Sequence, residues 1–360
     1  MAAPHYTVLV TCVGGRLIYD IIQALRMAED FTVTLLGCDS DPQAHGRLLV
    51  DHFEVIGRAE DDEDVYIDRL IALRNRYGLE AIIALSEGEC RTIARQRDRL
   101  ANAGIRTSVS PWPTVRAMTD KLLMMQRLEE RGIETGGYAV VDNEESARVA
   151  LAALGHPGNR VVLKPRRGAG SRGVMIVDAE RREWEALLPN RFCGTGDFDA
   201  VRRAMAAEGA DFSDLIAVPF HEGQVFDVDC LADAGALTDV ACRLRQLRNP
   251  LWPTSTGHRV TMDARVIELA RQLCVAFGVV GAADFDIVLK DGSHPILFDA
   301  GARYSGSVGG SFTAGMNFPA QLVRLMFGQQ RWPYAIEDGC VLRPYITMVS
   351  IPRANEHDFL

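Results

Sequence analysis

Residues Gly281–Gly310 read GAADFDIVLKDGSHPILFDAGARYSGSVGG, and the alternation inside them describes a β-hairpin. Phe285, Ile287 and Leu289 alternate with Asp284, Asp286 and Val288, the period of a half-buried strand. Asp291-Gly292-Ser293 supplies the turn, and Pro295 opens the return strand, where a missing N–H costs little. On that strand Ile296, Phe298 and Ala300 are expected to face the core, with Leu297 and Asp299 facing the other way. A loop of two or four residues puts Asp286 and Asp299 on one face; a loop of three does not. Carboxylates that converge on one face repel each other unless a cation sits between them, and hard oxygen ligands suit Mg²⁺ shared with phosphates. The plain alternative is a pair of solvated acids on an outer sheet face. The residues after the hairpin favour a site: Arg303, then Ser305-Gly306-Ser307 and Gly309-Gly310, a hydroxyl- and glycine-rich loop carrying a fixed cation.

The chain of 360 residues exceeds one ordinary core and suits two or three lobes. With 48% hydrophobic and 24% charged residues its composition is that of a globular protein. A formal net charge of −9 without a lysine/arginine block argues against nucleic acid or an anionic membrane as partner. The eight cysteines are scattered with no C-x-x-C pair, so buried free thiols are expected rather than a disulfide frame or a zinc site. The N-terminus lacks a basic region followed by a long apolar run, and no apolar run is long enough to span a bilayer; a cytoplasmic protein is expected.

Taken in order, Thr7–Val10 is a short strand ending at Thr11-Cys12-Val13-Gly14-Gly15. A helix comes next with Leu17, Ile21, Ile22 and Leu25 at helical spacing, then a strand at Phe31–Leu36 closed by Gly37-Cys38-Asp39. Strand, glycine turn, helix, strand and terminal acid make the βαβ unit of a Rossmann-like layer. Arg16 follows the glycine pair and G-x-G-x-x-G is absent, so the turn reads as structural or substrate-facing rather than as a dinucleotide site. A helix near Val65–Tyr77, a strand at Ala81–Leu85 and a helix after Glu87 continue the α/β alternation. Pro111-Trp112-Pro113 closes this lobe.

Thr119-Asp120 then caps a helical run, Lys121–Arg131, which places a lysine unusually near an N-terminal end. Val161–Pro165 is a strand carrying Lys164 in an apolar setting. It runs through the loop Arg166–Gly173 into a second strand, Val174–Val177. Such a glycine-rich loop can lie over phosphates with its N–H groups donating, although it is not a Walker loop, because the lysine precedes the glycines. A flexible basic hairpin tip is the plain reading of the same residues. Asp178–Asp214 reads as a polar, mostly helical insertion or lid with a loop at Cys193-Gly194-Thr195-Gly196. Strands are expected at Leu215–Phe220, Val225–Leu231 (Asp227 and Asp229 on one face) and Val240–Leu244, which carries Arg243. The loop Asn249–His258, a helix at Asp263–Phe277, the hairpin, a helix at Asn317–Phe327 and a final strand at Val341–Ile351 complete the chain.

Thr119-Asp120-Lys121, Lys164-Pro165 with its glycine loop, the strand pair Leu215–Leu231, and DFDIVLKDG with FDAGARYSGS occur in this order. In that order and spacing the chain resembles the ATP-grasp superfamily, in its carbamoyl-phosphate-synthetase-like branch, over nearly its whole length. The resemblance implies an α/β and α+β architecture. A Rossmann-like pre-grasp domain (1–114) would precede a grasp domain of two α+β subdomains (115–330) and a C-terminal extension (331–360). It implies ATP and Mg²⁺: Lys121 and Lys164 on the α/β-phosphates, Gly168, Gly170, Ser171 and Gly173 in the loop that closes over them, and Val218 and Phe220 at the adenine. Asp286 and Asp299 would hold Mg²⁺, and Arg303 would act, with Lys164, on the transferred phosphoryl group. Arg243, Arg245, Arg248, His258, Ser305 and Ser307 would border an acceptor pocket, where arginines suggest an anionic group; solvated charges on a strand edge are the plain alternative. Trp252 would be a lid residue or a packing one, and the family implies a homodimer.

The implied reaction is formation of an amide or peptide bond between a small-molecule carboxylate and an amine through an acyl phosphate. Three positions depart from the family's pattern. Asp299-Ala300-Gly301-Ala302-Arg303 stands where Glu-x-Asn-Pro-Arg is common, so Gly301 removes an oxygen ligand. Val218 stands where a hinge glutamate is common, and Val225 where a ribose-binding glutamate is common, with Gln224 and Asp227 as substitutes. These departures keep open a fold that binds a nucleotide or metabolite without turnover. Phosphoryl transfer to another acceptor and a Rossmann oxidoreductase are the remaining readings.

Overall fold

The computed structural model describes residues 3–15, 18–168, 170–188, 191–245 and 257–343. Three sheets succeed one another along the chain. The first is wholly parallel: β1 (His5–Val10), β2 (Thr32–Asp39), β3 (His52–Val55), β4 (Ala81–Ile83) and β5 (Arg106–Thr107), in the order β3-β2-β1-β4-β5. Val8, Leu9 and Val10 are all fully buried, as expected for a central strand covered by helices on both faces. The strand order reverses between β1 and β4, which opens a crevice at their C-terminal ends. Pro111-Trp112-Pro113 does not merely end the lobe: Pro111 is the N-cap of a helix, Trp112–Thr119, that leads into the next.

The second sheet contains β6 (Ala139–Val141), β7 (Val161–Pro165), β8 (Val174–Val177), β9 (Glu185–Ala186), β10 (Cys193–Gly196) and β11 (Leu215–Pro219), in the order β6-β11-β7-β8-β10-β9. Helices Glu144–Ala153 and Phe198–Ala207 pack on it around a core of their own. The segment Cys193–Gly196 is a buried strand and not the expected loop. Its glycines permit close approach: a Cβ at Gly194 would lie 2.4 Å from the Trp184 ring and 2.5 Å from the Glu185 carbonyl.

The third sheet contains β12 (Gly223–Asp233), β13 (Ala236–Arg245), β14 (His258–Val260), β15 (Gly281–Lys290), β16 (His294–Gly301) and β17 (Val341–Leu342), in the order β16-β15-β12-β13-β14-β17. His258 opens a strand rather than ending a loop. The residues expected to extend β17 from 344 to 351 lie outside the described residues, as do Arg248 and Trp252. Helix Ala264–Phe277, capped by Asp263 and closed by a left-handed Gly278, covers the apolar face.

The decisive hairpin has a three-residue turn, Asp291–Ser293, and the pairing runs from Lys290 opposite His294 to Ile287 opposite Leu297. Continued unbroken, that register would set Asp286 against Phe298. A bulge at Phe298 shifts the ladder by one residue and sets Asp286 against Asp299. The three-residue turn itself reverses two expected side chains: Leu297, opposite Ile287, is fully buried in the core, and Phe298 lines a cavity.

Two large apolar clusters join the first sheet and its helices to the third. No helix among the described residues is long and apolar enough to cross a membrane. The eight cysteines are free thiols, six of them buried.

Candidate active site

A cavity of about 400 Å³ lies between the second and third sheets. Two lysines reach it, Lys164 from the second sheet and Lys121 from a helix packed on the larger apolar cluster. Lys121 is the first residue of helix Lys121–Glu130, whose N-cap Asp120 accepts from the N–H groups of Leu122 and Leu123. A buried cation there opposes the helix dipole and needs partners. Its Nζ donates to the Gly168 carbonyl at 3.0 Å and lies 3.2 Å from Asp299 Oδ1. Arg166 ties the start of the glycine loop to the same cap, 2.9 Å from Asp120 Oδ2. Lys164, on β7, donates to the Phe298 carbonyl at 2.6 Å, so the bulge that aligns the two carboxylates also offers an acceptor to this lysine. Burial pulls the Lys164 ammonium down to about 8 against the opposing pull of Asp299. Burial pushes Asp299 up, but Lys121 and Lys164 outweigh it and hold the carboxyl below its ordinary range.

The third sheet presents acids in two rungs. Asp227, Asp286 and Asp299 lie directly across β12, β15 and β16; Asp229, Asp284 and Gly301 form the next rung. Like charges on one face require answering cations. Arg245 answers the first rung, its Nε 2.7 Å from Asp227 Oδ1 and its Nη2 2.7 Å from Asp286 Oδ1. The second Asp227 oxygen lies 2.5 Å from His258 Nε2. Burial pushes Asp286 up to about 7, with Arg245 pulling it down and Asp227 and Asp299 adding to the rise.

Arg243 answers the second rung. Fully buried, it pairs with Asp229 and donates to Ser305 Oγ and Ser311 Oγ, each at 2.8 Å. Ser305 in turn donates through its N–H to Asp229 at 2.6 Å and through its hydroxyl at 2.7 Å, which fixes the serine loop against the cavity. Burial, with Asp229 and Asp286 nearby, pushes Asp284 well above the carboxylate range. Its Oδ1 has no hydrogen-bond partner, and its Oδ2 lies 3.7 Å from Arg303.

Of the residues singled out from the sequence, Lys121, Lys164, Asp286, Asp299 and Arg303 line this one cavity. So do Gly168, Gly170 and Ser171 of the loop, Val218 and Phe220 at the end of β11, and Asp227, Arg245, Ser305 and Ser307. Gln224 does not line it, and neither do three others. Gly173 serves the loop's geometry, with a φ of 73° and Pro165 only 2.7 Å from where a Cβ would stand. Arg243 is closed off beneath Ser305, and His258 lies buried behind Asp227; each braces a residue that does line the cavity.

Glu87, Arg191 and His221 line the cavity without having been singled out. Glu87 comes from the first sheet's crevice. Ser86 and Glu89 form a reciprocal capping box there, and Glu89 also accepts from Thr11 Oγ1 at 2.6 Å and Tyr66 OH at 3.0 Å. The S-x-x-E pattern directly after Ala81–Leu85 was the available signal. Burial raises Glu87 above the ordinary carboxylate range, with Arg303 opposing.

Among the described residues no three histidine, cysteine or acidic side chains converge with metal-holding geometry. Asp286 and Asp299, opposed on one rung at the cavity wall, nonetheless fit an Mg²⁺ ion that fills its shell with water and phosphate oxygens.

Residues 211–344 match the family described as "ATP-grasp in the biosynthetic pathway with Ter operon". The fold as a whole is similar to N5-carboxyaminoimidazole ribonucleotide synthetase in its ADP complex, with a TM-score of 0.68 at 15% identity over 95% of this chain and 81% of that one. The biotin carboxylase domain of 2-oxoglutarate carboxylase from Hydrogenobacter thermophilus, solved with MgADP and bicarbonate, gives 0.65 at 18% identity over 93% and 72%. An L-amino acid ligase from Bacillus licheniformis gives 0.64 at 14% identity over 92% and 76%. A search of curated proteins returns no match.

Proposed function

From the fold of the ATP-grasp superfamily, which this chain carries, we propose that the protein is an ATP-dependent ligase joining a small-molecule carboxylate to an amine. The observation that supports this best is the meeting of Lys121 and Lys164 with Asp286, Asp299 and Arg303 around one cavity. Cations and acids on opposed walls suit a polyphosphate, for which catalysis is mostly positioning and charge neutralisation.

In this reading the apolar end of the cavity, with Val162, Ile176, Val218 and Phe220, takes the adenine. Lys121 and Lys164 hold the α- and β-phosphates, and the loop 168–173 covers them. Asp286 and Asp299 would hold Mg²⁺, which supplies charge neutralisation at the β- and γ-phosphates. A substrate carboxylate oxygen attacks the γ-phosphorus, the bond to the β-phosphate oxygen breaks and ADP leaves. Arg303, with Ser305 and Ser307, steadies the resulting acyl phosphate. The amine nitrogen then attacks the carbonyl carbon, inorganic phosphate departs, and the nitrogen loses its proton. Glu87, facing Arg303 from the first sheet, places the acceptor side of the cavity toward the crevice. We assign residues 1–114, 115–330 and 331–360 as pre-grasp domain, grasp domain and extension.

The test is ADP release over panels of carboxylates and amines. ADP should form only when both acceptors are present, and Asp299→Ala should lower turnover by about 10²–10³-fold. Unchanged turnover in Asp299→Ala removes that residue from the site. Gly301, Val218 and Val225 favour a second reading, a nucleotide binder without turnover. Analogue binding with no ADP release from any acceptor pair would select it.

A further inference from the structure

Resting on that ligase reading, we propose that Glu87 is the receptor for the acceptor amine: its carboxylate holds the ammonium group beside Arg303 and takes the proton that must leave before nitrogen attacks. Helix Glu87–Arg95 follows β4 at the crevice where the strand order of the first sheet reverses. Ser86 and Glu89 cap that end of the helix reciprocally, so Glu87 is not required as a cap. The Glu89 oxygens are engaged by Thr11, Tyr66 and Ser86. Arg91, one turn further along the same helix, is placed to answer Glu87 but lies 3.9 Å from Glu60 instead. Among the described residues Glu87 accepts no hydrogen bond and makes no ion pair, although it lines the cavity and is half-buried. An acid so placed is unfavourable until a cation joins it.

The neighbouring charge decides which cation fits. Arg303 is the strongest opposing charge on Glu87, and it also stands 3.7 Å from Asp284. A divalent ion at Glu87 would be repelled by that guanidinium twice as strongly as a single ammonium charge, and an ammonium adds three directed N–H donors. The two reactants of such a ligase bring opposite charges, and this end of the cavity meets them with opposite charges: Arg303 for the carboxylate, Glu87 for the ammonium. Burial raises the Glu87 carboxyl above the ordinary carboxylate range, which makes it a stronger base. The acceptor arrives with three N–H bonds and leaves as an amide with one. Glu87 takes the first proton, which frees the nitrogen lone pair. Nitrogen attacks the carbonyl carbon, the bond from that carbon to the phosphate oxygen breaks, and the departing phosphate carries off the second proton.

The test compares two nucleophiles on one acyl phosphate. The carboxylate and amine that release most ADP in the panels are used, with amide read by mass spectrometry. In a parallel assay hydroxylamine, uncharged at neutral pH, replaces the amine, and hydroxamate is read as its coloured iron complex. In Glu87→Gln the ratio of amide to hydroxamate formation should fall about 10²-fold against the wild type. An unchanged ratio would overturn the proposal and leave the ligase reading intact, with Glu87 then only a charge at a helix end. An equal loss of affinity for a non-hydrolysable ATP analogue with Mg²⁺ would assign Glu87 to the nucleotide or its ion, and would also overturn the proposal. A matched melting temperature separates these effects from misfolding. Should Glu87→Gln fail to fold, Glu87→Asp replaces it: the shorter arm withdraws the carboxylate, the same ratio should fall, and an unchanged ratio counts against the proposal. If the wild type yields neither amide nor hydroxamate from any carboxylate, the ligase reading falls, and this proposal falls with it.

Discussion

Lys164 illustrates how this cavity conditions a single charge. Its ammonium is buried, faces Asp299, Asp286 and Lys121, and is pulled down to about 8. A phosphate is held by the protonated form. Affinity for a nucleotide analogue is therefore full below about pH 8 and falls as pH rises through it, approaching tenfold per unit well above. Asp286, pushed up to about 7, ionises at the acid end of this window, and burial lowers His221 below its ordinary value, so the Lys164 part of the profile is the loss above about pH 8 that Lys164→Met removes. Calorimetric titrations from pH 6.5 to 9.5 should show the decline, and Lys164→Met should weaken binding and flatten the profile. A level wild-type profile would mean that Lys164 does not touch the phosphates. Arg243 and His258 teach the complementary lesson. As residue types they suggested substrate contacts, yet burial turned them into braces for Ser305 and Asp227. The sequence put Arg243 on a strand and His258 at the end of a loop, and only depth within the sheet separates a lining residue from one behind it.

At the scale of elements, the hairpin was legible in its strands and turn and illegible in its register. Alternation located β15 and β16, but a one-residue bulge leaves no mark in a pattern of period two until the turn length is known. The three-residue turn and the bulge at Phe298 compensate each other, which is why Asp286 and Asp299 meet. Cys193–Gly196 was missed for a related reason: glycines usually signal loops, and here they admit Trp184 and the Glu185 carbonyl against a buried strand. The helix that starts at Glu87 was placed correctly, but its N-terminal turn was not recognised as part of the cavity. That turn depends on Glu89, 8% exposed and hydrogen-bonded to Thr11, Tyr66 and Ser86. Glu89→Ala would leave three hydroxyls without their acceptor and remove the capping box. A loss of about 2–4 kcal/mol is expected, read by denaturant unfolding. Glu89→Gln, which keeps one acceptor oxygen, should lose less. Equal losses in the two variants would mean that packing, not acceptance, is what Glu89 provides.

Across the whole molecule the first and third sheets behave as one body and the second as another. Helix Phe318–Met326 is fastened to the first lobe by Arg324, 2% exposed, whose Nε lies 2.9 Å from Asp30 and whose Nη2 lies 2.5 Å from it. Asn317 donates to the Ala24 carbonyl at 2.6 Å, and a shared apolar cluster continues the seam. Asp30→Ala would strand a buried guanidinium and should cost about 3 kcal/mol, read as a lower melting temperature with unfolding still in one step. Two steps would show that the lobes fold separately. The second sheet has a separate core, joined to the larger one through few residues, among them Ile216 and Val218. Yet Lys164 and the glycine loop, which the nucleotide must engage, belong to it, while Asp286 and Asp299 belong to the third sheet. A ligand gripped by both walls links two bodies that are otherwise tied weakly, so its binding should suppress opening of the smaller one. Hydrogen exchange with and without an ATP analogue and Mg²⁺ checks this. Protection should rise in residues 161–177 and 215–219 and stay level in β1, β2 and β4. A rise confined to the third sheet would place the nucleotide on one wall only, and Lys164 would then have no part in holding it.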